Sequence, residues 1–92
     1  MEEKAKKIAG LLKVLANSNR LLILCGLMEH PMTVGEIAKW IPKINQSSLS
    51  QHLQLMKAHG ILDSEKTGMH VTYSVADHQV EEIMKVLKEH YC

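Results

Sequence analysis

Phenylalanine is absent from this chain, and one tryptophan and two tyrosines are its only aromatic residues. Proteins that hold single-stranded nucleic acid stack its bases on aromatic faces; this chain lacks the material for such a platform. Two cysteines cannot build the multi-bridge framework of a small secreted domain. Two prolines and five glycines, all dispersed, form no linker and no low-complexity tract. The longest apolar run, residues 21–28, is far below the roughly 18 to 20 residues that a membrane span requires. The opening Met1-Glu2-Glu3-Lys4 has no apolar leader stretch. These absences predict a soluble, cytoplasmic protein without a membrane partner. There is no glycine-rich phosphate loop and no nucleophile spaced beside a base, so neither an enzyme nor a cofactor is expected. A length of 92 residues excludes multi-lobed folds and predicts a single domain, 1–92.

What is present is a balanced, foldable composition. Apolar residues make up 46 % and charged residues 23 %, enough for one small core and too apolar for disorder. The net charge of +1 conceals an uneven distribution. Residues 1–16 carry four lysines against two glutamates, and residues 31–60 carry three lysines against Glu36. Residues 77–92 carry Lys85 and Lys88 against four acids. The basic middle is a slight footprint for nucleic acid, which a symmetric dimer would double; an ordinary solvated surface has the same charge.

Periodicity assigns the elements. Ile8, Leu11, Leu12 and Leu15 make one apolar stripe of a helix over 2–16. Asn17 suits the N-cap of a second helix, 18–29, apolar on most sides and so expected at the centre of the core. His30-Pro31 ends it, because the residue before proline is driven out of the α region. Thr33-Val34-Gly35-Glu36 reads as a capping box opening a short helix over 34–40. Asn45 caps a fourth helix, 46–59, with Leu49, Leu53 and Met56 buried and Gly60 as its stop. The period then changes to two: residues 61–65 and 69–75 read as strands, with Thr67-Gly68 in the turn. Asp77 caps a last helix with the stripe Val80, Ile83, Met84 and Leu87. The expected architecture is mostly α with a small β-hairpin, a winged helix-turn-helix in the order α-α-α-α-hairpin-α. An unrelated small helical domain with a hairpin shares this pattern.

The fourth helix carries Ser47, Ser48, Ser50, Gln51, His52, Gln54 and Lys57 around its polar side. Glutamine can bond adenine through two hydrogen bonds in the major groove, and serine can meet bases or phosphates. A helix designed only for solvation more often carries Glu and Lys, although a serine-rich surface helix satisfies the same pattern. Lys39, Lys43 and Lys66 are candidate phosphate contacts, which fix register without reading sequence. Asp63 and Glu65 are unfavourable for a wing lying along phosphates.

Three segments carry a resemblance. LLKVLANSNRLLIL (11–24), SSLSQHLQLMKAHGIL (47–62) and VTYSV (71–75) are similar to the ArsR/SmtB family of bacterial repressors, over about residues 8–92. The resemblance implies a homodimer joined through first and last helices, with two recognition helices meeting successive major grooves of a palindromic operator, and release by an inducer. Many relatives sense metals. One family site needs Cys-x-Cys in the third helix, where this chain has Thr33 and Gly35. Another needs four ligands on the last helix. Asp77 and His90 match, Gln79 replaces a histidine, and the fourth position lies past Cys92. Two ligands do not close a tetrahedral site, so no metal ligands are assigned.

Cys25 in RLLILCGL and Cys92 in HYC resemble the paired cysteines of the persulfide-responsive branch of the family. The resemblance implies a thiol switch in which oxidation or reactive sulfur bridges the two and DNA is released. From the residues alone the plainer reading comes first, with Cys25 a small core hydrophobe and Cys92 a terminal residue. Apolar surroundings raise the pKa of Cys25, and a helix C-terminus disfavours a thiolate at Cys92. A metal-responsive repressor, and a winged helix that binds only proteins, stand as the other expectations.

Overall fold

A computed structural model of the protein describes residues 1–91. Five helices and three strands follow in the order α1 (Glu2–Leu15), α2 (Ser18–Glu29), β1 (Met32–Thr33), α3 (Val34–Trp40), α4 (Gln46–Ala58), β2 (Leu62–Thr67), β3 (His70–Val75) and α5 (His78–Tyr91). The short polar side chains expected at the helix starts do cap them. Asn17 accepts from the Arg20 amide at 3.1 Å, and Asn45 from Ser48 at 2.8 Å. Asp77 accepts from Gln79 and Val80. Thr33 and Glu36 close a reciprocal box, each bonding the other's backbone N–H at 3.2 and 2.9 Å. His30 leaves α2 in extended backbone ahead of Pro31.

The end of α4 is a Schellman motif. Gly60 adopts φ +72°, Gly60 N–H bonds the Lys57 carbonyl and Ile61 N–H bonds the Met56 carbonyl. This left-handed turn reverses the chain into the sheet, where a Cβ would add strain of about 1 to 2 kcal/mol.

The hairpin differs from the sequence reading. Its strands pair in register from Leu62↔Val75 to Thr67↔His70, so the turn is Gly68-Met69 rather than Thr67-Gly68. Gly68 has φ +63° and among the described residues no non-glycine has positive φ, the pattern of a II′ turn with glycine at its first central position. That turn matches strand twist and lets the ladder run two residues past Glu65. A third strand also joins. Met32 and Thr33 pair antiparallel with Tyr73 and Thr72, giving the order β1-β3-β2. Two residues are too few for an alternating pattern to reveal.

The core gathers Ile23, Leu24 and Leu27 of α2, Ile37 of α3, Leu49, Leu53 and Met56 of α4, Ile61 just before β2, Leu62 and Tyr73 of the sheet, and Val80 and Met84 of α5. No polar side chain is buried among them. Gly26 is buried because the Trp40 ring lies on it, with the indole N–H donating to the Leu22 carbonyl at 2.8 Å. α2 is central as expected, yet Leu22 stays exposed. α1 is the least integrated helix. Val14 and Leu15 are buried at its end, but Ile8 is 54 % and Leu12 49 % exposed, so its stripe is largely uncovered within one protomer. No single described helix is long and apolar enough to cross a membrane; α1 and α2 reach that length only together, across a 90° bend.

Candidate nucleic-acid interface

α3 and α4 are joined by residues 41–45, with Ile41 buried and the Asn45 cap setting the start of α4. Leu49, Leu53 and Met56 have at most 1 % of their surface exposed. They fix one side of α4 against the core and thereby decide what its other side shows. At 100° per residue, Ser47, Gln51 and Gln54 point directly away from that stripe, and all three are exposed, as is Ser50. Leu55 also emerges on this face; as an apolar residue it carried no sequence signal for a polar surface.

Two other candidates lie on the flank. Ser48 is half-buried, its N–H taken by Asn45. His52 is half-buried too. Burial first, and the Arg20 guanidinium second, push its pKa below the ordinary 6.5. Arg20 itself was not singled out by sequence. Its Nε donates to the Val14 carbonyl at 2.6 Å, so one side chain ties the end of α1 to α2 and stands near the inner flank of α4. Asn45 takes the Ser48 amide and the Ser47 hydroxyl, leaving the first amides of α4 oriented for an anion.

Lys39, Lys43 and Lys66 are exposed and make no hydrogen bond or ion pair among the described residues. Lys57, on the flank of α4 beyond Ser50 and Gln54, donates to the Ser64 hydroxyl at 2.6 Å and so pins the hairpin beside that helix. Strand alternation puts Leu62, Ser64 and Lys66 on one face of β2 and Asp63 and Glu65 on the other. The two acids therefore point off the side on which α4 packs, which resolves the charge conflict read in the sequence.

Cys25 stands apart from this surface. It is half-buried on α2 and opens on an apolar groove of about 610 Å³ between α2 and α5, walled by Leu21, Leu22, Trp40, Met84, Leu87 and Tyr91. At its rim Lys88 of α5 pairs with Glu29 of α2, and the ammonium beside it holds the Glu29 carboxyl below the usual range. Cys92 lies outside the described residues. Among the described residues no three His, Cys, Asp or Glu side chains gather as a metal site would require.

Residues 17–64 match the family described as bacterial regulatory protein, arsR family. The chain is 35 % identical over 92 residues to the transcriptional activator HlyU of Vibrio cholerae, covering all of this chain and 84 % of that protein. It is 30 % identical to the biofilm growth-associated repressor of Xylella fastidiosa, covering all of this chain and 80 % of that one. The solved structure of reduced HlyU from V. cholerae superposes with a TM-score of 0.94, covering 100 % of this chain and 96 % of that one at 35 % identity. The repressor BigR from X. fastidiosa superposes at 0.89, covering 100 % and 93 % at 30 % identity. The exposed polar face of α4, the hairpin pinned beside it and these likenesses agree: the chain belongs to the ArsR family of transcriptional regulators, DNA-binding winged helix-turn-helix proteins and not enzymes.

Proposed function

We propose that this regulator is a homodimeric repressor of a palindromic operator, released when Cys25 and Cys92 are oxidised or bridged by reactive sulfur. The observation that carries the DNA-reading part is α4. A rigidly buried stripe holds Ser47, Ser50, Gln51 and Gln54 outward as one polar surface without acids. That surface suits the major groove, where Gln51 can bond adenine and the serines can bond bases or phosphates. Lys39, Lys43 and Lys66 take phosphates. Ser48 and His52, on the flank, support the helix and contact the backbone rather than base edges.

Pairing is supported by the uncovered apolar residues of α1, Ile8 and Leu12, and by Val86 on α5. A small chain gains core by covering them with a second copy, and two-fold symmetry then sets two α4 helices one helical turn apart on DNA. HlyU is named an activator and the X. fastidiosa protein a repressor; repression is the reading proposed for this chain.

The thiol part rests on the position of Cys25 against α5, the helix that ends at Tyr91 next to Cys92 in sequence. An organic persulfide accepts two electrons from the two thiols. Their sulfurs join, the persulfide S–S bond breaks, and one organic thiol and one hydrogen sulfide leave with the protons. Fixing α2 to the end of α5 would tie the reading domain to the pairing helices and change the spacing of the two α4 helices, the bistable element a switch needs.

A mobility-shift titration on palindromic duplexes recovered by selection tests the reading. Gln51→Ala should weaken selected DNA by about 1 to 3 kcal/mol and leave non-specific DNA nearly unchanged. Equal losses on both would remove base reading from Gln51. Glutathione persulfide should release the wild type but neither Cys25→Ser nor Cys92→Ser. Release that tracks zinc instead would favour a metal sensor, and no shift on any duplex would favour a protein-binding module.

A further inference from the structure

We infer that the groove between α2 and α5 is a binding site for an uncharged, ring-bearing apolar molecule, held without a covalent bond. The inference goes beyond the reading of DNA and of the thiols and uses neither. The groove has a volume of about 610 Å³, inside the range of about 300 to 1,000 Å³ usual for small-molecule sites. It follows α2 from Ser18 to Glu29, about 16 Å of helix. Leu21 and Leu22 stand on one side, Leu87 and Tyr91 on the other, and Trp40 of α3 beside Leu22. Leu22, Trp40 and Tyr91 are 46, 47 and 82 % exposed. Water therefore meets a large apolar surface that an occupant would cover.

Two features select the class of ligand. The first is the aromatic wall. The Trp40 ring lies on Gly26, and its indole N–H already donates to the Leu22 carbonyl at 2.8 Å. The ring is thus fixed in place, and its single donor is taken within the protein. A wall set before binding lowers the ordering cost of the complex. Trp40 and Tyr91 both suit stacked or edge-on contact with a ligand ring. The second feature is charge. Among the described residues that line the groove, Glu29 and Lys88 alone carry charge, and they pair with each other. The rim has no net charge to offer. An ion of either sign would lose hydration and would have to break that pair to gain a partner. An uncharged ligand leaves the pair intact.

The apolar residues assigned to pairing lie elsewhere. No described residue of α1 lines the groove. On α5, Val86 points about 150° away from the middle of the stripe formed by Met84, Leu87, Lys88 and Tyr91, at 100° per residue. A second copy seated on Ile8, Leu12 and Val86 therefore leaves the groove open, and a small molecule is the occupant that fits it.

The test titrates the full chain, kept reduced with a phosphine, with N-phenylnaphthylamine. This uncharged dye emits in apolar surroundings and accepts excitation energy from tryptophan. The chain has a single tryptophan, so quenching of its emission locates the dye at Trp40. The wild type should bind saturably, one dye per protomer. Leu22→Gln should weaken binding about five- to tenfold, and Tyr91→Ala, at a largely exposed position, about three- to fivefold. Lys88→Gln and Leu12→Glu should stay within about twofold of the wild type, since neither removes an apolar wall. The dye's sulfonate, with the same rings and one negative charge, should bind at least about tenfold more weakly. No saturable binding by the wild type, equal affinity of the sulfonate, or unchanged affinity in both Leu22→Gln and Tyr91→Ala would overturn the assignment. Loss of binding in Leu12→Glu would place the dye on the pairing helices and overturn it as well. None of these measurements involves DNA or persulfide, so the repressor reading stands or falls separately.

Discussion

Gly26 shows how one missing methyl group can organise a surface. A Cβ there would sit 2.8 Å from the Trp40 Nε1 and 3.0 Å from two ring carbons, and the ring is tethered by its bond to the Leu22 carbonyl. Gly26→Ala gains about 1 kcal/mol of helix propensity but overpacks the ring at about 1 to 3 kcal/mol. A net loss of about 1 kcal/mol is expected in urea unfolding, with a red shift of the emission of the single tryptophan as it lifts off α2. His52 supplies a second test at this scale. Burial and Arg20 depress its pKa in the folded protein, so the unfolded chain binds the proton first. The stability due to neutral His52 is complete above about pH 6.5 and is lost as the pH falls through the lower folded value. The urea midpoint should therefore fall between about pH 7.5 and 5.5, and less so in His52→Gln. Neither Gly26 nor His52 was legible in these terms, because each depends on a neighbour far along the chain. The opposite holds for Asn17, Thr33, Asn45 and Asp77, whose partners lie within three residues.

Local chemistry also explains why the elements were legible. Caps, the proline after His30 and the left-handed stop at Gly60 are decided within a few residues, and helices α2, α3 and α4 start where the sequence placed them. The hairpin was legible as a hairpin but not in register, since both Thr67-Gly68 and Gly68-Met69 are plausible turns. Pairing of Leu62 and Val75 at its base selects the second. β1 escaped because its only support is pairing with β3. For α4, the cap is the point to test. Asn45→Ala should cost about 1 kcal/mol in stability. It should also weaken specific DNA binding in the mobility shift by releasing the turn that carries Ser47. If stability drops but specific affinity holds, that first turn is not part of the reader.

At the scale of the whole molecule, the notable feature is an apolar helix side with no cover inside the protomer. Ile8 and Leu12 on α1 remain about half exposed although their spacing is that of a core-facing stripe. Under the proposed pairing, Leu12→Glu should give a monomer in sedimentation equilibrium and lower specific DNA affinity by at least about tenfold, since each half-site is then bound alone. A Leu12→Glu dimer of unchanged affinity would move the pairing surface elsewhere. The sequence by itself determined the helices, their caps, the stop at Gly60 and the polar face of α4, because each depends on contacts a few residues apart. Only the tertiary structure decided the turn register, the third strand, the seat of Trp40 on Gly26, the direction of Asp63 and Glu65, and which stripes the core covers. Those depend on packing and pairing between residues distant in the chain, and no local pattern records a distant partner.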